Sequence, residues 1–130
     1  MFIRKKAGIS KTKYVSPGVY TAKVLSIGFD DEYEGNGAIK VEYLLTDENG
    51  SVFSFSEYFY NVDGNERTDA FFNHLGEIGI DEEEFERYQG CTEIVTIKKI
   101  VKTYSAKPGI VSREFVSFPD EVDTDEVATA

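Results

Sequence analysis

The sequence contains few of the residues from which metal and catalytic sites are most often built. Its 130 residues include one cysteine, Cys91, and one histidine, His74. A lone cysteine cannot form an internal disulfide, and neither residue has a second cysteine or histidine at metal-ligand spacing. The acidic loop 30–37 starts like a calcium loop, but Val41 stands where the twelfth-position glutamate is needed. We therefore expect no metal and no cofactor, a buried and inert Cys91, and a His74 that faces solvent or lies at a helix end.

Sequence motifs of catalysis are also missing. The chain has no G-x-S-x-G elbow, no Walker loop and no dinucleotide fingerprint. Gly35 and Gly37 precede a predicted strand rather than a helix, so they cannot form a phosphate cradle at a helix terminus. The sequence predicts a protein that is not an enzyme.

Long apolar runs are absent, and leucine is scarce. No segment approaches the roughly 20 apolar residues of a membrane span, and the basic N-terminus lacks the apolar stretch of a signal peptide. We expect a cytoplasmic protein with no membrane partner. The abundance of valine and isoleucine, with 10 phenylalanines and 8 tyrosines, favours strands, and the length suits one domain.

The net charge of −10 is distributed unevenly along the chain. Residues 1–13 carry five cations and no acid, whereas the residues after Pro119 carry five acids and no cation. This pattern predicts a basic flexible N-terminal arm (1–14), a folded domain (15–119) and an acidic disordered C-terminal tail (120–130). The simpler interpretation is that both ends are merely solvated.

The sequence is organised around a predicted hairpin at residues 38–60. Side chains alternate with period two on both sides of Asp47–Gly50, where Gly50 suits the positive φ of a type I turn closed by a bulge. The second strand of this hairpin has aromatic residues on both faces. One face can fill a core, and the other leaves Tyr58 and Tyr60 partly exposed.

The remaining elements follow from changes in this pattern. A first strand is predicted at Val19–Phe29, with a bulge near Leu25 where the alternation changes phase. A helix follows the hairpin, capped by Asn65 or Thr68 and ended by Gly79, and a short helix with a capping-box variant at Asp81 follows it. Two last strands are predicted at 92–104 and 110–118, with the turn between them at 105–109.

Three meandering strands, a helical segment and a closing hairpin match a mainly β fold, the five-stranded Greek-key barrel called the OB-fold. The helical segment lies between strands 3 and 4. The alternative is an open α+β sheet with one helix packed on it.

A nucleic-acid interface is the best functional interpretation of this scaffold. Single strands are bound by aromatic platforms that stack on bases and by cations that follow the phosphates. The segment 98–113 has five cations and no acid, although the protein is acidic. The alternatives are that the lysines keep an edge strand soluble and that the tyrosines are packing residues. The predicted nucleic-acid-binding residues are Tyr33, Tyr58, Tyr60, Lys98, Lys99, Lys102, Tyr104, Lys107 and Arg113.

The chain also resembles a known family across residues 15–119. The segments 17–20, 71–75 and 115–119, with the aromatic hairpin, are similar to those of phage-encoded OB-fold single-stranded-DNA-binding proteins. The resemblance implies coating of single-stranded DNA during phage replication or recombination in a bacterial host cell. It also implies an acidic tail that recruits replication or recombination proteins or competes with DNA. Such tails usually end in an aromatic residue, whereas this sequence ends in Val127-Ala128-Thr129-Ala130.

A second hypothesis comes from the acidity of the protein. An acidic phage-type inhibitor or DNA mimic would present carboxylates to a basic protein partner. The loop 30–34 and the segment 81–86 would then form the working surface. The basic arm and the cationic segment 98–113 argue against this alternative, and the sequence leaves the oligomeric state open.

Overall fold

A computed structural model describes residues 15–31, 35–102 and 105–119, and in this part the protein is mainly β, as predicted. The strands are β1 (Gly18–Asp30), β2 (Ala38–Thr46), β3 (Val52–Tyr60), β4 (Thr92–Lys102) and β5 (Ser105–Ser117). Between β3 and β4 lie the helix α1 (Glu66–Glu77) and a 3₁₀ segment (Glu82–Tyr88). The predicted N-terminal arm and acidic tail lie outside the described residues.

The described strands form one antiparallel sheet in the order β3-β2-β1-β4-β5. β1 pairs with β2 on one side and with β4 on the other, and its register shifts between Val24 and Ser26, where the bulge is predicted. The bulged residue is Leu25, whose side chain is exposed. A bulge bends a strand and increases its twist, so β1 can serve two differently oriented parts of one sheet. Among the described residues no backbone ladder joins the two edge strands, β3 and β5.

The β2–β3 hairpin has the predicted turn. The Gly50 amide donates to the Asp47 carbonyl over 3.0 Å, and Gly50 has φ of +85°. The Asp47 carboxylate accepts from the amides of Asn49 and Ser51, each over 2.9 Å. These bonds fix the register so that Thr46 pairs with Val52.

The helical segment matches the sequence prediction except at its second cap. The Asn65 side chain accepts from the Thr68 amide over 3.0 Å and caps α1. Phe71 and Leu75 are buried, and Gly79 takes φ of +90° just after the helix. The expected capping box at Asp81 is wrong, because its side chain makes no capping hydrogen bond.

The predicted turn at 105–109 is also wrong, because these residues form the first part of β5. They pair with β4, with Lys107 opposite Ile100 and Pro108 opposite Lys99. Proline is tolerated because β5 is an edge strand, where the missing amide removes no central ladder bond. Gly109 packs closely against Ile100, since a Cβ there would lie 2.3 Å from Ile100 Cδ1 and would force that side chain to move. The connection between the strands falls on residues 103 and 104, outside the described part.

The core lies between one face of the sheet and the helical segment. The Phe59 ring of β3 stacks on Phe71 of α1 with centroids 4.2 Å apart, and Tyr88 meets Phe71 edge-on at 5.5 Å. Cys91 is buried, as predicted, and forms no disulfide. Two carboxylates, Glu57 and Glu93, are buried in the same region.

Candidate nucleic-acid interface

A cleft of about 420 Å³ lies between the two edges of the sheet. One wall is β3 with the start of α1, and the other is the part of the β4–β5 hairpin around Ile100 and Lys107. We call it the β3–β5 cleft. Its lining residues are Phe55, Ser56, Glu57, Tyr58, Tyr60, Arg67, Ile100, Lys107, Pro108 and Gly109.

Three of the predicted site residues meet in this cleft, namely Tyr58, Tyr60 and Lys107. Both tyrosines are half-buried, and Lys107 is exposed. Lys40 pairs with Tyr58 across the hairpin and places its Nζ 5.8 Å from the centre of the Tyr58 ring. Its hydrogen bond and ion pair with Glu42, at 3.3 Å, raise the pKa of Lys40. The cleft therefore combines aromatic surface with Lys107 of β5 and Arg67 of α1, and Lys40 of β2 lies against the Tyr58 ring without lining the cleft.

The other predicted residues are not brought into the cleft. Lys98 and Lys99 are exposed on β4 but do not line it. Tyr33, Tyr104 and the Lys102 side chain lie outside the described residues. The side chain of Arg113 is only 12% exposed, and its guanidinium is engaged within the protein.

Glu57, a carboxylate of β3, accepts the hydrogen bonds that hold one wall of the cleft together. Its side chain is only 3% exposed. Oε1 accepts from the Tyr43 hydroxyl over 2.7 Å and from Arg113, and Oε2 accepts from Arg67 Nη2 over 2.9 Å. A buried carboxylate is tolerated when it is paired and its lone pairs are satisfied, as they are here. Two guanidinium groups face this one carboxylate.

Arg113 is held between this carboxylate and two aromatic rings. Its Cζ lies 5.7 Å from the centre of the Phe59 ring and 5.6 Å from that of Phe71, within cation–π range. Burial disfavours the charge, but the attraction of Tyr43, Glu57 and other neighbours outweighs it and raises the pKa of Arg113. Its buried Nε has no hydrogen-bond partner among the described residues. Arg113 therefore stabilises the cleft wall from the protein interior.

A second buried carboxylate, Glu93, contacts His74, which lies at a helix end, one of its two predicted positions. His74 lies in the last turn of α1, but it does not face solvent, because its side chain is 14% exposed. Its Nε2 lies 2.8 and 2.9 Å from the two carboxylate oxygens of Glu93, and the Tyr88 hydroxyl donates to the same group. Burial, with the nearby Tyr43, raises the pKa of Tyr88. This cluster ties α1 and the 3₁₀ segment to β4.

Sequence reasoning missed Glu57, Glu93 and Arg67, although the first two carry a signal. Glu57 falls in the same alternation phase as Phe55 and Phe59, which is the core-facing phase of β3. Glu93 occupies the same phase as the buried residues of β4. A lone carboxylate in an apolar phase indicates a buried charge with a partner. The approach of Arg67 to Glu57 depends on where α1 packs, and no local pattern contains that information.

Comparison of the chain with protein-family models and with curated proteins finds no match in either. Within residues 15–31, 35–102 and 105–119, no cluster of three or more histidine, cysteine or acidic side chains is placed to hold a metal ion. No helix in the same ranges is long and apolar enough to cross a membrane.

Proposed function

We propose that this protein binds single-stranded DNA without catalysing a reaction. The observation that carries the proposal is the β3–β5 cleft, where Tyr58 and Tyr60 lie beside Lys107 and Arg67. Aromatic rings offer stacking surfaces for bases, and adjacent cations attract the phosphates between them. A role in phage replication or recombination, in the cytoplasm of a bacterial host, rests on the resemblance of residues 15–119 to phage single-stranded-DNA-binding proteins.

The proposal includes the OB-fold as the finer description of the domain. The strand order, the bulged β1 paired on both sides, and the helical segment between β3 and β4 support it. The ion pair between Glu57 of β3 and Arg113 of β5 brings the two sheet edges together where an OB-fold barrel closes. In OB-folds the strand 2–3 face and its flanking loops bind the ligand. Tyr33 and Tyr104 lie outside the described residues, and their roles stay predictions.

The charge distribution supports an anionic ligand despite the net charge of −10. The segment from Lys98 to Arg113, which contributes one wall of the cleft, has five cations and no acid, and among those that the structure describes only Arg113 is paired with a buried carboxylate. Lys98 and Lys99 are exposed beside this wall and extend its positive charge along β4. A local positive field attracts a polyanion more strongly than the total charge suggests.

The test is a titration of a labelled oligothymidine with the full-length protein at two salt concentrations. Tyr58→Ala or Tyr60→Ala should cost about 1–3 kcal/mol of binding free energy if a base stacks on the ring. Lys107→Gln should instead reduce the log–log salt slope by about 0.7, the value for one phosphate of a single strand that the protein no longer neutralises. Lys23→Gln, an exposed charge on β1 outside the cleft, is the matched control.

A duplex of the same length should bind less tightly, because stacking needs base faces that a duplex hides. If the wild-type protein does not bind oligothymidine even in dilute salt, single-strand binding is wrong. The acidic-partner hypothesis then takes its place.

One observation favours that second candidate, binding to a basic protein partner, namely the four consecutive exposed acids from Asp81 to Glu84. Binding to a basic polypeptide such as polylysine in place of DNA would support it.

A further inference from the structure

We propose that Arg67 is a phosphate-binding residue of the β3–β5 cleft. In this role Glu57 positions the guanidinium of Arg67, and Arg113 compensates the charge of Glu57, so that the positive charge of Arg67 stays available to an anion. This inference rests on the proposed function and adds a residue that the sequence did not indicate. The ligand class is a phosphodiester of the single strand, bound beside the tyrosines of β3.

Arg67 is placed to meet a ligand and is also held in place. Its side chain is 44% exposed and lines the cleft with Tyr58 and Tyr60. Nη2 donates to Glu57 over 2.9 Å, Nη1 approaches the Tyr58 carbonyl at 3.4 Å, and Cζ lies 5.1 Å from the centre of the Phe59 ring. A guanidinium has five N–H donors, so these interactions orient the group and leave donors for a ligand.

The charge balance around Glu57 explains why Arg67 stays attractive to an anion. Glu57 faces two guanidinium groups and can compensate only one positive charge. Arg113 is the more buried of the two and needs the carboxylate more, since an uncompensated charge costs most away from water. The excess positive charge therefore falls at the exposed group, Arg67. Without Arg113, Glu57 would neutralise Arg67 and weaken the site.

The planar guanidinium of Arg67 suits a phosphate better than the ammonium group of a lysine would. A guanidinium binds phosphate through a planar fork of two N–H groups, which lysine cannot reproduce. Arg67 lies beside Tyr58 and Tyr60, so a phosphate bound to it lies next to rings on which bases can stack. Lys107 on the opposite wall supplies a second cation.

The test compares Arg67→Gln, Arg67→Lys and Arg87→Gln in the oligothymidine titration across several salt concentrations. Arg87 is the matched control, because it pairs with Glu84 at 3.2 Å, is 53% exposed and lies outside the cleft. Arg67→Gln should bind at least about tenfold more weakly and lose about 0.7 of the log–log slope. Arg67→Lys should keep most of the slope but lose affinity, and Arg87→Gln should match the wild type.

A second measurement uses the wild-type protein and does not depend on the folding of a variant. The side-chain Nε–H NMR signal of Arg67 should shift on addition of oligothymidine, and inorganic phosphate should shift it in the same direction at higher concentration. The signal of Arg87 should stay in place. Through-bond correlations recorded on the wild-type protein assign both signals.

The outcomes separate this inference from the proposed function. If the wild type binds oligothymidine, but Arg67→Gln keeps its slope or the Arg67 signal does not move, the role of Arg67 is overturned and single-strand binding stands. If the wild type fails to bind at all, the proposed function fails with it. A shift with phosphate alone and none with oligothymidine would assign Arg67 to a free anion and also overturn the inference.

Discussion

Arg113 on β5 donates a hydrogen bond to Glu57 on β3, so a buried ion pair joins two sheet edges that no backbone ladder joins in the described part of the chain. Tyr43 of the central part of the sheet also donates to Glu57, over 2.7 Å, and accepts from Arg113 over 3.2 Å. The separation of β3 and β5 therefore depends on side chains rather than on a ladder. That separation sets the width of the β3–β5 cleft.

Replacing Arg113 should destabilise the protein. In Arg113→Gln the buried carboxylate of Glu57 loses its most buried cation but keeps Arg67 and Tyr43, so the loss should be that of a hydrogen bond to a charged group, about 1.5–3 kcal/mol. Urea unfolding followed by circular dichroism measures the change. Arg87→Gln, which removes an exposed pair, should change stability by less than about 1 kcal/mol. A cost for Arg113→Gln as small as for Arg87→Gln would show that the edge-to-edge pair contributes little.

The second buried carboxylate leads to a prediction about Tyr88. In Tyr88→Phe, Glu93 loses one donor and keeps His74, so the loss should be about 1–3 kcal/mol of unfolding free energy. Tyr20→Phe is the control, because the Tyr20 hydroxyl donates over 2.6 Å to the carbonyl of Ser16, an exposed residue that water can reach. Its cost should stay near the ~0.5–1.5 kcal/mol of an ordinary hydrogen bond. Equal costs in urea unfolding would mean that the burial of Glu93 does not matter.

Features that depend on neighbouring residues were predictable from the sequence. The turn at Asp47–Gly50, the bulge at Leu25 and the cap at Asn65 each need only a few local side chains. The start of β5 was missed because Pro108 and Gly109 are typical turn residues, and only their packing against β4 shows that they continue a strand.

The candidate site was only partly predictable, because it depends on distances across the fold. Tyr58, Tyr60 and Lys107 were predicted, and the structure brings them to one cleft. Arg113 was predicted as a surface cation, and nothing in its own segment shows that its partner lies 56 residues earlier at Glu57. Arg67 was not predicted, because its contact with Glu57 depends on how α1 packs against β3. Whether a charged side chain lies in solvent or in the core depends on its partners, and the local sequence does not specify those partners.

The burial of Tyr43 and Tyr88 predicts that the protein loses stability at alkaline pH. Burial is the largest cause that raises the pKa of Tyr43 and of Tyr88 far above the ordinary tyrosine value. The folded state therefore keeps both protons where the unfolded state releases them. This contribution to stability is complete below the unfolded pKa of about 10 and falls as the pH rises above it.

We expect tyrosinate absorbance from Tyr43 and Tyr88 to appear only with the loss of the circular dichroism signal. Absorbance and circular dichroism spectra recorded along one alkaline titration make this comparison directly. If every tyrosine ionises while the fold signal is unchanged, the two side chains are more accessible than their packing indicates.

The acidic segment after Pro119 should weaken binding to single-stranded DNA, because its five carboxylates can occupy the cationic cleft in place of phosphates. Deletion of residues 120–130 should therefore tighten oligothymidine binding, most of all at low salt, where charge competition is least screened. The cut belongs after Pro119, because a Cβ on Gly90 would lie 2.8 Å from the Pro119 ring, so this proline packs against the fold. A full-length variant with the five acids changed to their amides is the matched control. It should bind as tightly as the deletion if charge is the cause, whereas tightening by the deletion alone would assign the effect to chain length. Unchanged affinity of both proteins in dilute salt would exclude competition by the tail.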